Sequence, residues 1–207
     1  MTQAFDLAAN QQRAHVYRLL SACYYQPEAQ FLEEDVFGQL HRALVSLDAA
    51  LAAVALDLDQ AFRSTNLDAL LLDYTRLFLG PFEIKAKPYG SIYLEGDGVV
   101  MGDSTMNALA CYREAEFEVD ENFLEVPDHL AVELEFLYLL CFNQNEAAAA
   151  DNQPEFIRWR QMEQVFLKNH LGRWIGAFCG QMKAGAEQSF YRLLAQLTET
   201  YILRQRG

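Results

Sequence analysis

The segment Thr65-Asn66-Leu67-Asp68-Ala69-Leu70-Leu71-Leu72-Asp73-Tyr74-Thr75-Arg76-Leu77-Phe78-Leu79-Gly80-Pro81 decides the fold. Leu67, Leu70, Leu71, Tyr74, Leu77 and Phe78 recur every three or four positions, so they lie on one stripe of an α-helix and not on one face of a strand. Thr65 followed three residues later by Asp68 resembles a capping box, with Asp in the N3 role. Gly80-Pro81 supplies the stop, a residue that tolerates left-handed backbone and then one that cannot continue a helix. The same period extends to both sides. It predicts a helix over 2–25, with Tyr17, Leu20 and Tyr24 on one face and Pro27 beyond its end. A second helical pattern covers 28–56 through Phe37, Leu40, Leu44 and Leu47. Downstream, 104–115 is helical, and Pro127 is expected to open a helix that buries Leu130, Leu134, Leu137 and Cys141 and ends at the alanine run before Asp151-Asn152. A long helix is expected to start at Pro154, carry Phe156, Trp159, Met162, Phe166, Leu167, Leu171, Trp174 and Phe178, and break over 180–185. Phe190, Leu194, Leu197 and Tyr201 line a last helix. Strand-like alternation of Val, Ile and Thr is almost absent, so the expected class is all-α.

Residues 88–105 interrupt that period: Pro88-Tyr89-Gly90-Ser91-Ile92-Tyr93-Leu94-Glu95-Gly96-Asp97-Gly98-Val99-Val100-Met101-Gly102-Asp103-Ser104-Thr105. Long irregular segments inside helical domains are more often functional than idle, so this loop is expected to take part in whatever the protein does. Gly90, Gly96, Gly98 and Gly102 match neither phosphate-loop spacing, and no strand precedes them, which argues against a nucleotide cradle. The glycines are read as permitting sharp turns, with Tyr89, Ile92 and Tyr93 packing on neighbouring helices and Asp103-Ser104 capping the next one. An acidic connector over 116–126 (Glu118, Asp120, Glu121, Glu125) marks a division. It leaves an N-terminal helical lobe over 1–125, with an ordered loop at 81–103, and a C-terminal helical lobe over 126–207.

With 52% hydrophobic residues in 207, the chain has ample material for a core. Sixteen Lys and Arg against 29 Asp and Glu give a net charge of −13, which argues against nucleic acid and anionic membrane as partners. That charge suits a basic partner, or simply solubility. Cys23, Cys111, Cys141 and Cys179 form no C-x-x-C pair, so neither a disulfide framework nor a zinc motif is expected. No signal peptide or membrane-spanning run is read, and the expected location is a reducing cytoplasm without stable membrane insertion.

Pro127-Asp128-His129 reads first as a helix start. Asp128 favours the helix dipole and can satisfy a first-turn N–H, while the same dipole predicts a neutral, hydrogen-bonding His129. His129 has only Glu133 one turn on, which makes no metal cage. Ser91, His129 and Asp128 or Asp103 have the residue types of a hydrolytic triad, but no G-x-S-x-G elbow accompanies them. His15, His41 and His170 are read as ordinary surface or interface histidines, and Glu133 and Glu135, two apart, as facing opposite ways.

In order along the chain stand Tyr74-Thr75-Arg76-Leu77-Phe78-Leu79-Gly80-Pro81, Pro88-Tyr89-Gly90-Ser91-Ile92-Tyr93, Gly102-Asp103-Ser104-Thr105, Pro127-Asp128-His129-Leu130, Glu133-Leu134-Glu135-Phe136, Phe166-Leu167-x-x-His170-Leu171-x-x-Trp174 and Phe190-Tyr191. This ordered set resembles the TorD/DmsD-type redox-enzyme maturation chaperones. The resemblance implies an all-helical, non-catalytic, TorD-like protein of two lobes. Such a protein binds the twin-arginine leader of a molybdopterin oxidoreductase, of the dimethyl sulfoxide or trimethylamine oxide reductase type, and holds the apo-enzyme for cofactor insertion before export. It further implies a monomer or a lobe-swapped dimer, no resident cofactor, and weak GTP binding in some members, for which this sequence has no motif. The family's leader-binding positions fall on Tyr74, Leu77, Phe78, Gly80, Pro88, Tyr89, Gly90, Ser91, Gly102, Asp128 and His129. Tyr74 departs from the DmsD branch, which tends to carry Trp there, whereas Gly102-Asp103-Ser104-Thr105 favours that branch. Physically, a basic then apolar leader asks for acidic surface beside an apolar groove. The connector would supply the first, Leu77, Phe78, Tyr89 and Tyr93 the second, with Asp128 as the arginine partner. The rival reading is a small helical hydrolase acting on nucleotides through His129 and a carboxylate.

Overall fold

Helix starts and stops are written into short polar side chains. The computed structural model describes residues 6–80, 83–95, 101–117 and 125–206. Asp6 accepts the Ala9 N–H at 3.0 Å and opens α1 (Leu7–Ala22). The 28–56 pattern is three helices, α2 (Gln30–Glu33), α3 (Val36–Val45) and α4 (Ala49–Ser64). Asp35 at φ 51° breaks the first pair, and Asp48 breaks the second by accepting the Ala50 and Leu51 amides at 3.0 and 3.1 Å. The deciding segment forms α5 (Leu67–Tyr74), which widens into a π-turn, Thr75–Leu79. Its cap is Asn66, whose side chain accepts the Asp68 N–H at 2.8 Å, and not Thr65. The Thr65 hydroxyl bonds back to the Ala61 carbonyl at the end of α4, so it is unavailable to the next helix. Gly80 ends the π-turn at φ +43°, where any side chain would be strained and a Cβ would lie 2.9 Å from the Glu83 carbonyl oxygen.

The segment read as wholly non-helical contains a short helix, α6 (Gly90–Leu94), and its end enters α7 (Asp103–Glu114). Gly96 and Gly98, like Pro81 and the acidic residues 118–121, lie outside the described residues. Next come α8 (Leu130–Ala149), α9 (Gln153–Phe166) with a π-turn at Leu167–Leu171, α10 (Gly172–Gly185) and α11 (Ser189–Gln205). The expected break at Gly180 is absent: α10 runs through it to Gly185. No strand occurs among the described residues beyond one bridge between Tyr89 and His129, and the fold is all-α.

Helix α1 packs on α8, α8 on α9, α10 on α11, and α11 on α4, while α6 lies against α10 and α7. Buried apolar residues form one cluster from Ala14 to Ile202, including Leu130, Leu134, Leu137 and Cys141, so the core runs across residue 125. Cys23, Cys141 and Cys179 are buried free thiols. Asp73, buried in α5, reaches across to α11. Its Oδ2 accepts the amides of Glu187 and Gln188 at 2.9 and 2.7 Å, and its Oδ1 accepts from Arg76 at 3.1 Å. It therefore caps a helix to which it does not belong. Asp73→Ala is expected to lower stability by about 2 kcal/mol, with amide exchange accelerated first at Glu187 and Gln188. Uniform acceleration along α11 would contradict this role.

Candidate leader-binding site

Two non-adjacent segments are stitched together by main chain. The Leu130 N–H donates to the Pro88 carbonyl at 2.8 Å, and the Gly90 N–H to the Asp128 carbonyl at 2.9 Å. The Ser91 N–H donates to Asp128 Oδ2 at 2.7 Å. Helix α8 starts three residues after Pro127, with His129 as its cap: Nδ1 accepts the Ala131 N–H at 3.1 Å. Asp128 thus serves the 88–91 segment and not the first turn of α8, which corrects the expectation from the helix dipole. It is fully buried. His129 is 4% exposed, and burial, opposed by Asp128, lowers its pKa to about 4. The expected neutral, hydrogen-bonding histidine is what the structure contains.

Tyr89 meets His129 edge-on at 5.3 Å between ring centroids, and Tyr25 stacks on its other side at 6.2 Å. Both tyrosines are half-buried, as is Tyr74 at the end of α5. Burial and the charge of Glu125 push Tyr74 up to about 12, and burial and Glu125 raise Tyr89 in the same way. Leu77 and Phe78, expected to line a groove, are core residues instead. Phe78 meets Tyr24, Tyr74, Phe178 and Tyr191, so it sets the position of Tyr74 from beneath. Tyr93 stacks on Trp174 at 5.7 Å and donates from its hydroxyl to Gln181. Gly102 stands at the start of α7, where Glu95, and not Asp103 or Ser104, caps the helix by accepting the Ser104 N–H at 2.6 Å.

Under the 88–91 segment lies a buried polar pair. His170 Nε2 is 2.7 Å from Glu133 Oε1, and the Trp174 indole N–H donates to Glu133 Oε2 at 3.3 Å. His170 is 6% exposed and stacks on Phe166, so it is a core residue and not the surface or interface histidine expected from its spacing. Burial raises the Glu133 pKa. Burial works to lower that of His170, but the adjacent Glu133 outweighs it and the net shift is upward. Glu135 faces the other way, as expected, and accepts from Ser21 and Tyr25, both at 3.1 Å. Gly90 permits this stacking of layers: a Cβ there would lie 3.0 Å from Trp174 Nε1 and 3.3 Å from Glu133 Oε1. Its role is close approach, not the turn expected of it. Gly90→Ala is expected to displace α6 from Trp174 at about 1–3 kcal/mol, with a change in tryptophan fluorescence. Unchanged emission and stability would contradict that close contact.

No group of residues able to hold a metal ion occurs among the described residues, and none of their helices is long and apolar enough to cross a membrane. The profile of the family described as "Nitrate reductase delta subunit" matches residues 44–180. The "Tat proofreading chaperone DmsD" of Salmonella typhimurium is 33% identical over 187 residues, covering 87% of this chain and 82% of that protein. The chain belongs to the TorD/DmsD family of maturation chaperones. The "Chaperone protein TorD" of Shewanella pealeana is 26% identical over 207 residues, covering 93% of this chain and 87% of the relative. A solved chain described as a redox enzyme maturation protein from Archaeoglobus fulgidus superposes with a TM-score of 0.55 at 18% identity, covering 98% of this chain and 96% of that one. That likeness speaks for the fold. This TorD/DmsD-family chain is a chaperone and not an enzyme, which overturns the hydrolase reading of His129.

Pro88, Tyr89, Gly90, Ser91, Asp128 and His129, all legible as candidates in the sequence, are brought together in the structure. Tyr25, Glu133, Glu135, His170 and Trp174 are further neighbours of that site that the sequence alone does not place there. Tyr25 sits beyond the end of α1, and its only local signal is an aromatic residue shortly before Pro27.

Proposed function

We propose that the protein binds the twin-arginine leader of a molybdopterin oxidoreductase, of the dimethyl sulfoxide or trimethylamine oxide reductase type, and holds the apo-enzyme in the cytoplasm for cofactor insertion before export. The observation that carries this reading is the aromatic site made where 88–91 is stitched to 128–130, within a member of the TorD/DmsD family. The leader would meet Tyr74, Tyr89 and His129. Gly80, Pro88, Gly90, Ser91, Gly102 and Asp128 would fix the backbone around them, and Leu77 and Phe78 would hold Tyr74 from the core. An acidic chain of net charge −13 would steer the basic end of the leader toward this site. The division at 125/126 would be the hinge of a lobe-swapped dimer. In that dimer the contacts of α1 with α8 would be made between copies.

The test is affinity capture with the immobilised protein from an extract that expresses the reductase's catalytic subunit with or without its leader. Retention of the leader-bearing subunit alone is expected. Equal retention of both forms would refute leader recognition. Asp128→Ala with His129→Ala should reduce capture while helical circular dichroism is retained.

A further inference from the structure

Helix α7 packs on α6 and is tied to the core by Tyr112, whose ring centroid lies 6.2 Å from that of Phe166 in α9. Along its outer side α7 faces α9 across two cavities of about 430 and 240 Å³. They lie end to end, since both are lined by Cys111, Glu114 and Val165. One wall is Asp103, Asn107, Ala110, Cys111 and Glu114, which recur at helical spacing and so form a single face of α7. The other is Arg158, Met162, Val165 and Phe166, a single face of α9, continued by Asn169 in the π-turn and Arg173 in α10. From Asp103 to Glu114 the groove runs about 17 Å, or three turns of a helix.

Its middle is apolar. Val165 is 52% exposed there, with half-buried Cys111 and Met162 lining the same cavity and Phe136 below. The rims are charged, and oppositely. Asp103 and Glu114 stand exposed on the α7 rim, and neither makes an ion pair among the described residues. Arg173, on the facing rim, has no carboxylate partner among them either, and Arg158 turns to Glu116 and Glu155 at 3.3 and 3.4 Å. Carboxylates and guanidinium groups thus line one groove without bridging it, which leaves both signs of charge for an occupant. A helix with an apolar stripe, cations on the flank toward α7 and carboxylates on the flank toward Arg158 and Arg173 satisfies every part of it. A basic then apolar leader has no acidic flank to offer.

We propose that the groove between α7 and α9 docks an amphipathic helix of a partner protein, with basic residues on one flank of its apolar stripe and acidic residues on the other. Docking here is independent of leader binding, so either can fail alone. Cys111 supplies a reporter. The other three thiols are buried, whereas Cys111 is half-buried on the lining that both cavities share. A docked helix covers it.

The experiment uses three synthetic helical peptides of about 14 residues with one leucine stripe and different flanks: lysine and glutamate, lysine on both, glutamate on both. Fluorescence anisotropy reads their affinity for the full chain, and intact mass reads the rate at which N-ethylmaleimide alkylates Cys111. The mixed peptide should bind about three- to tenfold more tightly than either uniform one and slow alkylation as it saturates. Glu114→Lys should move the preference to the peptide with glutamate on both flanks. Glu114 is exposed and near the end of α7, where a cation is favourable, so the fold is retained. Equal or tighter binding of the all-lysine peptide by wild type overturns the groove in favour of diffuse attraction to an acidic chain. Failure of all three to bind, or binding that leaves alkylation of Cys111 unchanged, overturns it as well. A twin-arginine leader that slows alkylation as much as the mixed peptide would give the groove to the leader. Slowing that grows with protein concentration alone would give it to a second copy. Either outcome overturns the proposal.

Discussion

Glu163→Ala is expected to lower the unfolding free energy by about 3–5 kcal/mol, the largest single effect among the polar residues. Glu163 is fully buried in α9 and pairs with Arg13 of α1, whose side chain is 14% exposed. It also accepts from Gln144 at 2.9 Å and lies near the Tyr17 hydroxyl and the Cys141 thiol. Arg13 in turn bonds Gln205 near the end of α11 and Asn10 within α1. Removing the carboxylate leaves a mostly buried guanidinium without its counter-charge. Desolvation of that charge is then uncompensated, and a midpoint shift of roughly 10 °C follows for a domain of this size. Chemical denaturation checks the value. The paired change Arg13→Met with Glu163→Leu removes both charges and should recover most of the loss. If the double variant is no better than Glu163→Ala, shape and not charge dominates there. The network joins α1, α8, α9 and α11, so it would form between copies if lobes are exchanged.

The second large effect depends on pH. His129 titrates at about 4 in the folded protein against about 6.5 in an unfolded chain. The unfolded state therefore takes up a proton first as pH falls. The stabilising contribution of neutral His129 is fully present above pH about 6.5 and is lost as pH falls toward about 4, amounting to about 3 kcal/mol. The mechanism is local: a protonated Nδ1 cannot accept the Ala131 amide, and a cation at the start of α8 opposes the helix dipole. Glu133 and His170 titrate upward nearby and act in the opposite sense, so the His129 part is read as a difference from a variant. His129→Asn keeps a capping side chain without the titration. The gap between the two stability curves should narrow between pH 7 and pH 4. A gap that stays constant would place the pH dependence elsewhere.

The helices were legible because their signals are local. The stripe from Leu67 to Phe78 and the buried face Leu130, Leu134, Leu137 and Cys141 are readable from period alone. Boundaries were less so, since they turn on which polar side chain reaches which amide: Asn66 outcompetes Thr65 because Thr65 bonds back to Ala61. At the site, Pro88–Ser91 and Asp128-His129 were found from motif order, but the physical roles of several residues were not. Leu77 and Phe78 belong to an apolar stripe whether they face a groove or the core, and only packing decides that they are buried. The pairing of Glu133 with His170 spans 37 positions and leaves no local trace, as does the meeting of Tyr25 with Glu135 across 110.

The proposed role requires this chaperone to read a twin-arginine leader as a sequence and not merely as a charge. Calorimetric titration with a synthetic leader and with a scrambled peptide of identical composition tests it most directly. Saturable one-to-one binding of the leader, of micromolar order, is expected, with at least tenfold weaker binding of the scrambled peptide. Equal heats and affinities for the two peptides would contradict it.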